Sequence, residues 1–440
     1  MENNARQLAY DVLIDIQQNG AYANLALDKA LLRSKLNKSD RRLATELVYG
    51  CTKMQLHLDQ IIKSYCDLKK VDKKTLQLLR MAVYQMTYLE KIPDHAIINE
   101  TVELSKKVGL HSDKFINGVL RSMLREEKPI KWPDKRKKRN QYIAKWYSFP
   151  QWLIDGWVKE YGFADTERLC EYFNNPAQTW IRVNTLKATA EEIKSVFEHL
   201  NIEYVQHPAL PEAFCLKSLQ KIKQSSLFKQ GKIIVQDLSA MLPALVLNPS
   251  KGNQVLDMCA APGGKTTYLS AIMNNSGSIM ACDLHPHRVE LIEHNVKRLG
   301  VENVRCYAGD ATALPDECYV RFDAVLLDAP CSGLGVLNRR ADLRWRIRKS
   351  SLPEIEQLQE QLLDAACHYL KPQGTLVYST CTLNKNENEY QIKRFLEKHP
   401  NFECVPFECL GETCESGQKT IYPYIDQTDG FFIAKLVRKE

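Results

Sequence analysis

The 440-residue sequence has no apolar run long enough to cross a bilayer, which excludes a membrane-spanning helix. It opens with Met1-Glu2-Asn3-Asn4-Ala5-Arg6 and runs straight into a charged amphipathic pattern, not the apolar stretch of an export signal. A cytoplasmic protein that does not bind membranes is expected. No two of the fourteen cysteines are spaced as Cys-x-x-Cys. The even trio Cys404, Cys409 and Cys414 lacks paired ligands or a following histidine pair. Neither a disulfide framework nor a metal site is therefore expected, and most of the thiols read as small buried hydrophobes. There is no internal repeat.

What is present is a long, unevenly charged chain. At this length two or three domains are expected. Residues 1–150 hold 28 Lys and Arg against 17 Asp and Glu, while the rest holds 32 against 36. A first third at +11 beside a remainder at −4 points the basic part toward a polyanion, with a lysine-biased solvated surface as the plainer alternative.

Apolar residues recur at helical spacing through the first part: Ala9, Val12, Leu13 and Ile16; Leu43, Leu47 and Val48 after a Ser39 N-cap; Leu79, Ala82, Val83 and Met86; Ile97, Ile98 and Val102 between Pro93 and Gly109; then Phe115, Ile116, Val119, Leu120 and Met123. This predicts an all-α domain over residues 1–130. A basic linker with connecting helices follows over 131–168, opening with Lys131-Trp132-Pro133-Asp134-Lys135-Arg136-Lys137-Lys138-Arg139, which either touches RNA phosphates or is a solvated connector. A small mixed α+β segment covers 169–235. Over 236–440, apolar runs at 255–258, 278–282, 303–307, 323–327 and 375–378 alternate with helix-length segments. That rhythm predicts a doubly wound, mostly parallel sheet of Rossmann type, with Phe431 to Val437 added antiparallel at its edge. Ligands of such sheets sit beyond the carboxyl ends of the strands.

After the first run stands Asp257-Met258-Cys259-Ala260-Ala261-Pro262-Gly263-Gly264-Lys265-Thr266. A Walker loop would need glycine at position 259, and Gly-x-Gly-x-x-Gly is missing too. A short glycine loop opening a helix suits a ligand with one carboxylate, such as the methionine part of S-adenosylmethionine. Asp283, 20 residues past Gly263, is placed for ribose hydroxyls, and Asp310 after the third run for an adenine amino group. Asp328 closes the fourth. One such aspartate is more often a turn residue; three on consecutive strands beside a glycine loop favour a ligand site.

Asp328-Ala329-Pro330-Cys331-Ser332-Gly333 and Tyr378-Ser379-Thr380-Cys381-Thr382 follow the fourth and fifth runs. If those strands are neighbours, both thiols emerge into one crevice. Carbon 5 of cytosine is a poor nucleophile, but a thiolate adding to carbon 6 makes it enamine-like and able to attack a sulfonium methyl. Asp328 can hydrogen-bond the ring nitrogen and amino group, and a cation or helix N-terminus near Cys381 is implied. Packed cysteines or a disulfide are the alternative, and spacing does not say which thiol would attack.

These blocks, in this order, resemble the RNA 5-methylcytosine methyltransferase family, which includes bacterial small-subunit ribosomal RNA methyltransferases and the eukaryotic Nop2/Sun proteins. Arg182-Val183-Asn184-Thr185 and Val235-Gln236-Asp237-Leu238-Ser239 look like its accessory blocks, and the all-α start looks like a NusB-like RNA-binding domain. The likeness covers nearly the whole chain. It implies that Cys259, Ala260, Ala261, Pro262, Gly263, Gly264, Lys265, Asp283, Asp310 and Asp328 bind S-adenosylmethionine. It implies Cys381 as nucleophile, Cys331 in proton removal or release, and Asp328 at cytosine N3 and N4. The implied substrate is 16S ribosomal RNA, free or partly assembled, at the cytosine numbered 967, and the implied state is a monomer without metal. Transfer RNA is a second substrate reading, and a non-catalytic RNA-binding assembly or antitermination factor a third. Leu334, where many members have threonine, and Asn338-Arg339-Arg340-Ala341-Asp342, without the proline frequent there, depart from the family on the substrate side.

Overall fold

The computed structural model describes residues 4–126, 128–218, 222 and 225–440. The chain divides into two compact units, residues 1–176 with 337–349, and residues 177–336 with 350–440.

The first unit is helical. Helices Ala5–Asn19, Lys38–Lys53, Lys73–Tyr88, Asp94–Lys107 and Asp113–Arg125 bury one apolar stripe each in a common core that includes Leu13, Leu47, Leu78, Ala82, Ile97 and Leu120. Two sequence expectations are corrected. Ser39 lies inside its helix, and the cap is Asn37, whose side chain accepts from the Asp40 N–H at 2.9 Å. Phe115 faces outward at 42% exposure, while Ile116, Val119 and Leu120 fill the buried stripe. Two further helices, Arg139–Trp146 and Gln151–Asn174, follow, the second kinked at Gly162, where φ is 79°.

The second unit opens with a small antiparallel sheet of β1 (Thr179–Val183), β2 (Tyr204–His207), β3 (Leu210–Leu216) and β4 (Ile233–Val235), in the order β2-β3-β1-β4. Helix Ala190–His199, started by a capping box of Thr189 and Glu192, packs Ile193 and Phe197 into the same core as Ile181 and Phe214.

The main sheet follows: β5 (Gln254–Asp257), β6 (Ser278–Asp283), β7 (Val304–Ala308), β8 (Phe322–Asp328), β9 (Leu370–Thr380), β10 (Phe402–Cys404), a short hairpin of β11 (Phe407–Cys409) and β12 (Glu412–Cys414), then β13 (Gln418–Ile421) and β14 (Phe431–Arg438). Its order is β10-β14-β9-β8-β5-β6-β7, with β13 also on β14. Strands β5 to β9 pair in parallel, and β14 runs antiparallel to β9. Strand β14 is not the edge, because β10 and β13 both pair along its far side. Alternation shows that both faces are covered. Val325 and Leu327 enter one core, Ala324 and Leu326 the other. Cys409 and Cys414 belong to the second of these cores, and no group of His, Cys, Asp and Glu among the described residues is arranged to hold a metal. Among those residues no helix is long and apolar enough to cross a membrane.

The order reverses between β5, flanked by β6, and β8, flanked by β9, so a crevice opens at the carboxyl ends of these strands.

Candidate active site

Each parallel strand delivers one group to that rim: Asp257 ends β5, Asp283 ends β6, Asp310 lies just past β7, and Asp328 ends β8. The glycine loop turns directly from β5 into helix Gly264–Ile272. Gly263, at φ 94°, approaches Ile292 so closely that a Cβ would stand 3.2 Å from its Cα. Loop backbone groups are held by Met258 N–H to Leu326 O at 2.9 Å and Ala260 N–H to Cys282 O at 2.8 Å. Arg182, fully buried on β1, donates to Gly264 O at 2.9 Å and to the Gln236 side chain at 2.7 Å, with its guanidinium 4.1 Å from the Tyr268 ring. Burial pushes this arginine down to about 10. The two accessory blocks therefore act together, as a strut under the loop. Asn184 of the same block closes on Gly231 O and Leu299 O, each at 2.8 Å.

The acidic groups differ in what they already bond. Asp257 is buried and accepts from the Thr266 hydroxyl at 2.7 Å through one oxygen, while the other has no hydrogen-bond partner. Burial pushes its carboxyl up to about 7, Asp328 and Asp283 adding to the rise while the Thr266 bond and Lys265 oppose it. Asp283 is 2% exposed, and its Oδ2 also lacks a hydrogen bond, although the Arg288 guanidinium stands 3.2 Å away as an unaligned ion pair. Asp310 is exposed and accepts from the Thr312 N–H and hydroxyl, both at 2.8 Å. Asp328 is engaged on both oxygens, by Lys265 Nζ at 2.6 Å and by the Ser379 hydroxyl at 2.8 Å.

Residue pairing between β8 and β9 sets Asp328 opposite Ser379, so Cys331 and Cys381 follow on neighbouring strand ends. Their sulfurs are 3.2 Å apart. That is hydrogen-bond contact between free thiols, well beyond the length of a disulfide bond. The two thiols sit in different fields. The bond to Cys381, then burial, then the charges of Cys381 and Glu387 hold Cys331 far above the ordinary thiol range, so it keeps its proton. Lys265 faces Cys381. Burial works against its ammonium, but Asp328, Asp257 and Cys381 outweigh burial and raise it.

All the residues expected at the site from sequence stand at this rim, in the loop or at strand ends. Asp257 and Glu387 were given no role from sequence, and Arg182 was named only within an accessory block, not as the strut of the loop. Asp257 precedes the loop and reads as a strand terminus, Glu387 sits in a polar stretch that reads as a helix start, and Arg182 is a lone cation on a strand.

A family model described as 16S rRNA methyltransferase RsmB/F matches residues 244–437. A NusB family model matches 3–125, and an RsmF/B-like ferredoxin-like domain model matches 149–223. The "Probable ribosomal RNA small subunit methyltransferase B" of Synechocystis sp. is 39% identical over 442 residues, spanning 98% of this chain and 99% of that protein. The chain belongs to the RsmB/F methyltransferase family. Among solved structures, that of PH0851 is similar over 100% of both chains, at 29% identity and a TM-score of 0.83. NSun6 from Pyrococcus horikoshii, solved with SFG, is 25% identical and covers 67% of this chain and 99% of that one, at a TM-score of 0.60. The NusB-like start, the ferredoxin-like insert and the Rossmann-like methyltransferase sheet are thus the domains of an RsmB/F enzyme.

Proposed function

We propose that this RsmB/F methyltransferase transfers a methyl group from S-adenosylmethionine to carbon 5 of a cytosine in 16S ribosomal RNA, at the position numbered 967, through a covalent bond from Cys381 to carbon 6. The contact of the Cys331 and Cys381 sulfurs, with Lys265 on one side and Asp328 beside them, is the observation that carries this reading.

The donor fits the residues present. It brings a sulfonium and an ammonium, and Asp257 and Asp283 each offer a buried carboxylate oxygen without a hydrogen bond, in a crevice with a third acid at Asp328. Residues Cys259 to Lys265 form the loop beneath it, Asp283 suits the ribose hydroxyls, and Asp310 the adenine amino group. When bound, the donor supplies an electrophilic methyl. The protein does the rest. Cys381 adds to carbon 6, Lys265 provides positive charge beside the attacking sulfur, and Asp328, held in place by Lys265 and Ser379, faces N3 and N4. Cys331 assists removal of the carbon 5 proton or release of the product. A base inside a helix cannot reach two half-buried sulfurs at the ends of strands, so the target must be unstacked, which favours free or partly assembled RNA. Comparing 5-methylcytosine in 16S RNA from cells with and without the gene tests the reading. Methylation lost from transfer RNA instead, or from neither, would refute it.

Donor binding should depend on pH with a definite sign. Asp257 is half protonated near pH 7 in the free protein, and a cationic ligand prefers the ionised acid. Affinity should rise as pH increases from 6 to 8 and level off above, with protons released on binding at and below about pH 7. Calorimetry in buffers of different ionisation enthalpy measures this, and Asp257→Asn should flatten the profile.

The run Lys135 to Arg139 is exposed. Replacing Arg136, Lys137 and Lys138 by glutamine should weaken RNA binding and reduce the slope of log affinity against log salt by about 2, as three lost phosphate contacts on single-stranded RNA would. An unchanged slope would show that this run is only a solvated connector.

A further inference from the structure

A completely buried carboxylate lies behind the two thiols. Glu387 has 0% exposure. Its Oε2 accepts from the Ser332 N–H at 2.8 Å and from Gln359 Nε2 at 3.1 Å; its Oε1 accepts from the Ser332 hydroxyl at 2.5 Å and from Asn384 Nδ2 at 3.0 Å. Ser332 directly follows Cys331. Thr382 directly follows Cys381, and its hydroxyl is 2.8 Å from that of Ser332. A serine hydroxyl has one proton. The Ser332 proton goes to Glu387, so Thr382 must donate across the gap between the two loops. Gln359 also ties down Pro330 O at 2.9 Å, and the Tyr378 hydroxyl holds the Glu387 backbone oxygen at 2.7 Å.

We propose that Glu387 is a positioning residue of the reaction, whose buried carboxylate clamps the Cys331 loop to the Cys381 loop and so keeps the two sulfurs in contact. All four of its partners are donors, which only an acceptor with two equivalent oxygens satisfies. A glutamine would turn an NH₂ toward Ser332 or Gln359, donor against donor, and push one loop away. The negative charge also adds to the bond to Cys381 and to burial in keeping Cys331 protonated. This role rests on the two-cysteine reading above.

The test uses the full chain and two readouts. The first is the rate at which diamide closes a Cys331–Cys381 disulfide, followed by mass spectrometry, which requires contact of the sulfurs but no methyl transfer. The second is steady-state methylation of 16S RNA. For Glu387→Gln we expect disulfide closure to slow at least about tenfold and kcat to fall about 100-fold, the scale of a 1 Å misplacement, with KM for donor and RNA within about twofold. Ser332→Ala, which removes one of the four bonds to Glu387 together with the link to Thr382, should show the same signature at smaller size, and it carries the test if the glutamine variant does not fold. Closure and kcat both near wild type in the folded variants would overturn the proposal, as would a raised KM with kcat unchanged, which marks a binding residue. A wild-type protein that closes the disulfide readily but methylates no RNA would sink the reading of the reaction and leave the clamp standing.

Discussion

Cys381→Ala is expected to lower methyl transfer by at least about four orders of magnitude, because it removes the atom that activates the ring and leaves only Cys331, whose thiol keeps its proton. Cys331→Ala should behave differently. It should accumulate a protein–RNA adduct that survives a denaturing gel, since attack by Cys381 remains possible while product release is impaired. Sequence spacing leaves the order of the two thiols open, and the proposed order draws on their surroundings. Cys331 faces the buried carboxylate of Glu387 and stays protonated, whereas Cys381 faces the ammonium of Lys265. Their contact at 3.2 Å lets the Cys331 S–H donate to the other sulfur. An adduct that appears with Cys381→Ala and not with Cys331→Ala would reverse the assignment, and with it the electrostatic argument.

Most of the candidate site is legible in the sequence, because strand-end chemistry is local. A parallel strand points its last residue at the crevice, so Asp283, Asp328, Cys331 and Cys381 could be placed from apolar runs alone. Groups that act from behind could not. Glu387 reaches Ser332 across 55 residues of sequence and Arg182 reaches Gly264 across 82, and no spacing rule anticipates a contact set by how two elements pack. The same limit explains smaller misses. Ser39 and Asn37 are both good caps, and only the backbone turn at Asn37 decides between them. Strand β14 was legible as a strand, but its covering partners β10 and β13 are three and four residues long, too short to show a period. The segment after Cys331 was read as a substrate-side loop on the strength of resemblance. Residues 337–349 group with the helical unit, a packing context for Asn338 to Asp342 that resemblance does not supply.

Arg344, in that segment, should be the most sensitive single residue of the helical unit. Its guanidinium is fully buried, 4.0 Å from the Phe149 ring, and among the described residues no carboxylate pairs with it. It donates instead to Ser148 O and the Asn174 side chain at 3.1 Å, to Lys53 O at 3.3 Å, and to Phe173 O and Leu337 O at 3.5 Å. Two large effects compete. Burying an uncompensated cation costs several kcal/mol, which argues that a neutral residue would be better. Against this stand hydrogen bonds from a charged donor at about 1.5–3 kcal/mol each, discounted for their length, and a desolvated cation–π contact of about 2 kcal/mol. Four protons shared among five acceptors and one ring outweigh one burial and an unpaired Nε–H, so Arg344→Met should destabilise the unit by about 3 kcal/mol and lower its melting temperature by on the order of 10 °C. Arg344→Lys is the sharper test. It keeps the burial cost but has three donors and no planar face for Phe149, so it should be no better than methionine despite its charge. A lysine variant with wild-type stability would show that charge alone secures the segment, and a methionine variant more stable than wild type would show that the burial cost dominates.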